Sequence, residues 1–284
     1  MKPFRSMMAL AALAMATNAA QAEQIVVATG VDPAFMSVFV AQERGLFQKA
    51  GLDIKILRMA QGGDVMDSIV AGQSHLGVAA DQTAMLRIPR ADIRPLAVIS
   101  ESGKYIEAIA KPEVKDVKDV KKIGVVKGTV SEYSAAMMLK KHGVDKAAVA
   151  FVPGSASDFP ALLARGDIDA YFAWHPFATQ SKAQGAKALT NSGEVGYVYT
   201  MWLSASGPWL DKNGEDARKF VRIVADTNKS ITADPAAAAA DFQKAAKIPA
   251  ADSMPLLERI TFKVRDFSDA DMNSYESIAD YLLA

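Results

Sequence analysis

The chain has 284 residues, 50% of them hydrophobic, with 32 Lys and Arg against 32 Asp and Glu and no cysteine. The lack of cysteine excludes disulfides, thiolate metal sites, a cysteine nucleophile and a lipid-anchored N-terminal cysteine. The balanced charge offers no basic surface, so no nucleic-acid partner is predicted.

The first 22 residues are typical of a secretory signal peptide. Lys2 and Arg5 precede an apolar run over residues 7–16, and Ala20-Gln21-Ala22 forms an A-x-A cleavage site. About ten apolar residues are too few to cross a bilayer as a helix. The alternative is a buried N-terminal helix, against which the order of basic residues, apolar run and cleavage site argues. We predict cleavage after Ala22 and a periplasmic mature protein of residues 23–284.

From Gln24 onward, short β-rich runs alternate with amphipathic helical stretches, which indicates parallel sheets covered by helices. A first series contains predicted strands at 25–29, 52–57, 76–80 and 94–100, and helices at 34–47, 63–71 and from 81 toward 89. A second series contains strands at 105–111, 123–126, 149–152 and 168–173, and helices at 131–142 and 158–165. After a strand-like run at 197–206, the remainder is predicted to be mostly helical, at 216–233, 235–246 and from 254 onward.

Two such series joined by a few residues predict an α/β chain with two lobes. Lobe I comprises residues 23–103 and 200–284, because a helical tail without strands of its own must pack back on the first sheet. Lobe II comprises residues 104–199. The chain would then cross twice between the lobes, and a two-strand hinge over a cleft is the geometry of a clamp that closes on a ligand.

Ligands of open α/β sheets bind beyond the carboxyl ends of the strands, which points to three loops of lobe I. Asp32 follows the first strand and is either a helix cap or a ligand contact, with Phe35 just behind it. Gly62 and Gly63 follow the second strand and either bring backbone N–H groups toward an anion or form a tight turn. Asp81 follows the third strand and opens a helix.

In lobe II, the stretch Lys127-Gly128-Thr129-Val130-Ser131-Glu132-Tyr133 follows the first strand. The hydroxyls of Thr129 and Ser131, with free N–H groups of the helix start, suit a sulfonate, carboxylate or nitro oxygen. Tyr133 is a candidate for stacking. A capping box completed by Glu132 explains the pattern equally well. The spacing of a P-loop is absent, which argues against nucleotide hydrolysis.

The last strand of lobe II leads into Trp174-His175-Pro176. Trp174 is suited to stacking on a planar group and His175 to donating a hydrogen bond, although a lone histidine is often structural. Three scattered histidines do not form a metal site, and no cofactor is predicted.

These stretches together resemble the nitrate/sulfonate/taurine-type solute-binding proteins of ABC importers, whose relatives also bind thiamine-pyrimidine precursors. The matching pieces are residues 41–47, 72–77, 127–129 with Ser131 and Tyr133, 166–170 and 174–176, in the family's order and spacing over nearly all of the mature chain. The resemblance implies a type II periplasmic-binding fold, a ligand between the lobes, and an ABC permease and ATPase as partners of a monomer.

Two positions depart from the family pattern. Relatives usually carry an acidic residue in G-x-x-D-x-G and W-[DE]-P, where this chain has His75 and His175. Histidine in place of a carboxylate at a cleft wall removes negative charge, which favours an anion or a hydrogen-bond acceptor. No arginine is assigned to the cleft from the sequence.

Two ligand hypotheses follow from these residues. The first is a small organic anion, sulfonate-like or carboxylate-bearing, held by helix N-termini with Thr129 and Ser131. The second is a planar heterocycle, such as a thiamine pyrimidine precursor, stacked on Trp174 and on Phe35 or Tyr133. An enzyme on the same fold is a third hypothesis. No set of nucleophile, base and orienting group is evident in the sequence, so no catalytic activity is predicted. A sensor-docking module would need the same clamp.

Overall fold

The computed structural model describes residues 23–283, so the predicted signal peptide lies outside the described residues. The strands of this range are β1 (Ile25–Gly30), β2 (Ile54–Met59), β3 (Leu76–Ala80), β4 (Ile93–Ser102), β5 (Glu107–Ala110), β6 (Lys122–Val125), β7 (Ala150–Pro153), β8 (Ala170–Ala173), β9 (Lys187–Asn191), β10 (Tyr199–Ser206) and β11 (Thr261–Arg265).

The helices between these strands are mostly short, and the longer ones lie toward the C-terminus. They are α1 (Met36–Glu43), α2 (Leu46–Lys49), α3 (Gly62–Val70), α4 (Asp81–Met85), α5 (Val130–Lys141), α6 (Phe159–Arg165), α7 (Phe177–Ala183), α8 (Gly207–Leu210), α9 (Gly214–Ala233), α10 (Pro235–Ala246), α11 (Ala250–Leu257) and α12 (Asp269–Leu283). In residues 23–283 no helix combines the length and the apolar character needed to cross a membrane.

The first sheet has six strands in the order β11-β4-β10-β3-β1-β2. β1 pairs in parallel with β2 and β3, whereas β10 runs antiparallel to β3 and β4, and β11 runs antiparallel to β4. The sheet is therefore mixed rather than parallel throughout, because β10 enters it from the opposite direction when the chain returns from the second sheet.

The second sheet has five strands in the order β7-β6-β8-β5-β9. β6 pairs in parallel with β7 and β8, while β5 runs antiparallel to β8 and β9. This sheet is also mixed, since β5 arrives from the first sheet against the direction of the β-α-β series. The strand β9 and the helix α7 had no counterpart among the predicted elements.

The C-terminal tail differs from the predicted helical tail in one respect. It contains β11, which adds an edge strand to the first sheet, and α9 and α10 pack near that sheet against α1. Phe47 stacks on Phe220 with ring centroids 4.8 Å apart, and Phe39 meets Phe242 edge to face at 5.6 Å. The tail is thereby joined to the first sheet, and the α/β fold class predicted from the sequence is confirmed.

The chain passes between the sheets twice, from β4 to β5 and from β9 to β10. The two crossings touch at Gly103 and Gly193, where the Gly193 N–H donates to the Gly103 carbonyl at 2.7 Å. A Cβ on Gly103 would lie 2.9 Å from the Cα of Gly193. Both positions therefore need glycine for this close backbone approach.

Candidate functional site

The space between the two sheets forms a cleft with two compartments. The compartment that we call the inner cleft has about 490 Å³ of empty space, counting its mouth that opens to solvent. It is lined by Asp32, Ala34, Phe35, Ala60, Gln61, Gly62, Ala80, Thr83, Tyr105, Ile106, Thr129, Val130, Trp174, Tyr199 and Met201. Both sheets contribute to this lining, as does the crossing segment that carries Tyr105.

The second compartment, which we call the outer cleft, has about 1220 Å³ of empty space, counting its opening to solvent. It shares Asp32, Ala60, Gln61 and Trp174 with the inner cleft and adds Val31, Arg58, Met59, Asp64, Ser155, Ala156, Ser157, His175, Pro176 and Phe177. Trp174 borders both compartments. The outer cleft contains the charged residues, whereas Asp32 is the one carboxylate that lines the inner cleft and no Lys, Arg or His does so within residues 23–283.

Asp32 caps the short 3₁₀ turn after β1. Its Oδ1 accepts hydrogen bonds from the Ala34 N–H at 2.8 Å and from the Tyr105 hydroxyl at 2.9 Å. The side chain is buried, and burial raises the pKa of Asp32 to about 7 although both hydrogen bonds act in the opposite direction. Asp32 is thus both the helix cap and a wall of the cleft, so the two interpretations of this residue are compatible.

Asp81 occupies the equivalent position after β3 but lies outside the residues that line either compartment. Its Oδ1 accepts from the Gln82 N–H at 2.7 Å and from the Tyr197 hydroxyl, and its Oδ2 accepts from the N–H and hydroxyl of Thr200 at 2.9 and 3.0 Å. Burial raises the pKa of Asp81 to about 6 against these bonds. The structure therefore places Asp81 in an internal network between α4 and β10.

The start of α3 brings two predicted residues to different places. Gly62 lines the inner cleft, and the side chain of the N-cap residue Gln61 makes no capping hydrogen bond. Gly63 does not line either compartment; a Cβ there would lie 2.9 Å from Nη2 of Arg87. Within the described chain the N–H groups of Gly62 and Gly63 have no hydrogen-bond acceptor. Of these two, Gly62 lines the inner cleft, so its N–H remains available for an anionic group.

The start of α5 also reaches the inner cleft. Thr129 is the N-cap; its Oγ1 accepts from the Ser131 N–H at 3.2 Å and donates to the Val126 carbonyl at 2.8 Å. The Glu132 carboxylate accepts from the Gly128 N–H at 2.8 Å. Among residues 23–283 no acceptor meets the N–H of Val130, the cleft-lining residue of the first turn. The capping pattern and an open N–H donor coexist here.

Ser131 and Tyr133 are buried away from the cleft lining. The Ser131 hydroxyl donates to the Phe172 carbonyl at 2.7 Å and accepts from the Val126 N–H at 3.0 Å. Tyr133 packs edge to face on Tyr197 and Tyr281, with ring centroids 4.8 and 5.3 Å apart. Both side chains hold α5 in place, and neither borders the space between the sheets.

The loop after β8 supplies one wall of each compartment. Trp174 and Phe35, two of the proposed stacking residues, line the inner cleft. His175 borders the outer cleft, where its Nδ1 lies 3.3 Å from the Thr179 hydroxyl. Burial lowers the pKa of His175, so the neutral imidazole is favoured. The second unusual histidine, His75, accepts a hydrogen bond from the Val26 N–H at 3.1 Å and does not line either compartment.

Several cleft residues gave no signal in the sequence. Tyr105 and Tyr199 lie at or beside the crossing segments, and the buried Tyr199 hydroxyl has no hydrogen-bond partner in the described part of the chain. Burial raises the pKa of both hydroxyls well above the usual value for tyrosine. Strand patterns predict that such residues are buried, but not that they face a ligand.

Arg87 was also missed by the sequence-based assignment. It follows α4 and joins the helix α3 to the loop before α5. Nη1 donates to the Gly128 carbonyl at 3.2 Å, and Nη2 donates to Asp67 at 3.3 Å. Its side chain is 12% exposed. An arginine therefore does lie between the parts of the chain that belong to the two sheets, where it is hydrogen-bonded to the loop before Thr129.

Comparison with known proteins identifies the fold. The aliphatic sulphonate binding protein SsuA from Escherichia coli superposes with a TM-score of 0.80 at 18% identity, over 92% of each chain. The alkanesulfonate-binding protein SsuA from Xanthomonas axonopodis pv. citri, bound to MOPS, superposes equally well at 19% identity, over 93% of this chain and 94% of that one. The predicted periplasmic-binding fold is thus confirmed.

Sequence comparison identifies the family. The taurine-binding periplasmic protein of Escherichia coli K12 is 25% identical over 236 residues, which cover 80% of this chain and 72% of that protein. The family model described as NMT1/THI5 like matches residues 32–238. This match confirms the resemblance seen in the sequence, and the chain belongs to the NMT1/THI5-like family.

Proposed function

We propose that this protein is the periplasmic solute-binding component of an ABC importer and that it captures a small organic anion, sulfonate-like or carboxylate-bearing, between two lobes. The observation that carries the proposal is the convergence of two helix N-termini on one cleft. α3 and α5 belong to opposite sheets, and their first-turn residues Gly62 and Val130 both line the inner cleft with unpaired N–H groups.

The proposed lobes are residues 23–103 with 200–284, and residues 104–199. This division agrees with the membership of the two sheets except at Tyr199, the first residue of β10. Residues 1–22 direct export and are removed after Ala22. A ligand that bonds to α3 on one side and to α5 on the other is bound only when the lobes are close, so it stabilises the closed form. The closed form of the monomer is then recognised by the permease, which the ATPase drives.

Relatives support the same class of ligand. The name of the Escherichia coli relative refers to taurine, and those of the structural neighbours refer to sulfonates. Taurine and alkanesulfonates share a compact oxyanion, which is the chemistry that a helix N-terminus recognises. A binding role also agrees with the bonding of Thr129, whose hydroxyl donates to a backbone carbonyl and not to a general base.

A planar heterocycle is the second candidate, because aromatic side chains border the inner cleft on several sides. Phe35, Tyr105, Trp174 and Tyr199 all contribute to the lining. A ring bound between them would gain stacking energy and bury apolar surface. A ring stacked on Trp174 should quench its fluorescence, whereas a simple alkanesulfonate has no ring that could stack there.

The test is a thermal-shift screen of residues 23–284, after unfolding, dialysis and refolding to remove any retained ligand. The panel contains sulfonates, nitrate, aromatic carboxylates and pyrimidines. A ligand at 100 times its Kd adds roughly 2.7 kcal/mol to the unfolding free energy, which is readily resolved. Stabilisation by anions supports the proposal, whereas stabilisation by neutral pyrimidines alone replaces it with the heterocycle. No shift with any member contradicts both.

Matched tryptophan variants distinguish the two candidates at the site itself. Trp174→Phe removes the cleft indole, while Trp209→Phe removes an indole that stacks on His75 outside the cleft lining. Quenching by a bound heterocycle should vanish in the first variant and persist in the second. Quenching that survives Trp174→Phe would place the ring elsewhere.

A further inference from the structure

Asp32 is a buried carboxylate whose hydrogen bonds are incomplete. Both protein donors, the Ala34 N–H and the Tyr105 hydroxyl, bond to Oδ1 at 2.8 and 2.9 Å. Oδ2 accepts no hydrogen bond from any group in residues 23–283, although the residue is only 7% exposed and lines both compartments of the cleft. A carboxylate oxygen of a largely buried residue that has no protein donor favours a hydrogen-bond donor from the ligand.

Asp81 provides an internal comparison. It follows its strand in the same way and is fully buried, yet both of its oxygens accept two hydrogen bonds each from protein groups. At Asp81, which lies outside the cleft lining, the protein therefore supplies hydrogen-bond donors to both carboxylate oxygens. At Asp32 one of the two oxygens has no protein donor within residues 23–283, and the residue lines the cleft.

The charge of Asp32 is also unbalanced inside the inner cleft. Arg58 and His175 line the outer cleft but not the inner one, and no cationic side chain is among the inner lining residues of the described chain. A ligand that carried only negative charge would be attracted by the helix N-termini and repelled by ionised Asp32. A ligand with a cationic or donor group at its other end would satisfy both sites.

We propose that the inner cleft selects anions that carry a second, hydrogen-bond-donating group, preferentially a protonated amine, and that Oδ2 of Asp32 is the atom that binds this group. The inference rests on the proposed function, because the anionic end is assigned to the N-termini of α3 and α5. It adds a specificity-determining residue and narrows the ligand class to amino-substituted sulfonates and carboxylates. Tyr199, whose buried hydroxyl has no hydrogen-bond partner in the described part of the chain, also lines the inner cleft.

The experiment compares ligands that differ only in the second group. Three aliphatic probes are 2-aminoethanesulfonate, 2-hydroxyethanesulfonate and ethanesulfonate, and an aromatic pair is 4-(aminomethyl)benzoate and 4-methylbenzoate. Ethylamine serves as the amine without an anion. Affinities are measured by calorimetry at pH 8 with the refolded protein of residues 23–284. The amino member of at least one set should bind tenfold or more tighter than its methyl counterpart.

Asp32→Asn tests the assigned atom. An asparagine retains an oxygen for the Ala34 N–H and the Tyr105 hydroxyl but places an NH₂ donor where Oδ2 stood. The preference for the amino member should disappear or reverse in this variant, which a merely structural role of Asp32 would not produce. Asp81→Asn is the control, and it should lower the melting temperature while the ratio of the two affinities stays the same.

The outcomes separate the inference from the proposed function. Equal affinity for the amino and methyl members, or a preference that survives Asp32→Asn, overturns the inference and leaves an anion-binding protein. Failure of every anion to bind, with or without binding of ethylamine, overturns the proposed function and the inference with it.

Discussion

At the scale of single residues, the molecule shows how burial changes the chemistry of a carboxylate. Asp32 loses most of its contact with water, and two hydrogen bonds to Oδ1 do not compensate, so its pKa rises to about 7. The titratable groups that face it, Tyr105 and Tyr199, have pKa values raised well above the usual one and stay neutral. Asp32 thus titrates near neutral pH without a charged partner in the inner cleft.

The first prediction concerns the stability of the ligand-free protein. Because the folded pKa of Asp32 is raised above its ordinary value of 3.8, the folded state retains a proton between pH 4 and 7 that the unfolded state has released. Raising the pH through this window therefore lowers the free energy of unfolding, by up to about 1.4 kcal/mol per pH unit. Asp32→Asn cannot titrate and should lack this contribution.

The measurement is urea unfolding of both proteins at pH 4.5 and 7.5. Asp81, whose pKa is raised to about 6, and His175, whose pKa is lowered, titrate in the same window with opposite signs. Asp81 and His175 are present in both proteins, so their contributions cancel when the unfolding free energies of wild type and Asp32→Asn are subtracted. Wild type should lose stability relative to Asp32→Asn as the pH rises. Parallel pH profiles would show that Asp32 titrates normally.

At the scale of elements, α5 depends on its cap. Thr129 accepts from the Ser131 N–H and ties the loop to the Val126 carbonyl, so Thr129→Ala should cost about 1 kcal/mol of unfolding free energy. Thr129→Ser keeps the hydroxyl and should retain most of that stability. Thermal unfolding of the two variants checks the difference, and equal melting temperatures would mean that the cap contributes nothing.

The contact between the two crossing segments is a second feature at the scale of elements. Gly103 and Gly193 approach so closely that an added Cβ would press on backbone atoms, which do not move aside as a flexible side chain would. Gly103→Ala should therefore destabilise the protein by about 1–3 kcal/mol. Gly214→Ala is a matched control, since no atom lies within 4 Å of a Cβ at the first residue of α9. Similar stability of the two variants would contradict the role of the contact.

The elements that the sequence predicts well are those with strong local patterns. β3 is an apolar run between His75 and Asp81, and its predicted bounds agree with the structure. β11 was missed because Thr261–Arg265 is a short edge strand with charged residues, and its identity as a strand depends on pairing with β4. The antiparallel direction of β10 likewise depends on the path of the chain, which enters the first sheet from the second one.

In the candidate site too, local features can be predicted from the sequence and features that depend on distant residues cannot. Asp32 and Asp81 have the same local signature, an acidic residue after a strand, yet one lines the cleft and the other does not. Partners that are 116 and 119 residues away in sequence, Tyr197 and Thr200, complete the hydrogen bonds of Asp81. No local pattern contains that information, so sequence reasoning finds the loops that border the cleft and not which side chains face it.

At the scale of the whole molecule, the interaction of Arg87 with Gly128 links the two proposed lobes. The guanidinium is anchored to Asp67 on its own side and donates across the junction to a carbonyl beside the cap of α5. A hydrogen bond from a charged group contributes about 1.5–3 kcal/mol, and a factor of ten in population corresponds to about 1.4 kcal/mol. If the proposed lobes open and close, loss of this one bond is therefore enough to shift the balance between the two forms.

We expect Arg87→Met to open the ligand-free protein, because methionine keeps the apolar stem but not the bond to Gly128. Since the chain has no cysteine, cysteines placed at exposed Lys55 and Ser157 can carry spin labels on opposite sides of the cleft. The population at the longer distance should increase in Arg87→Met. Arg90→Met is the control, because Arg90 pairs with the other oxygen of Asp67 at 2.7 Å without reaching the second lobe. If both variants keep the wild-type distance distribution, closure depends on the ligand rather than on this bond.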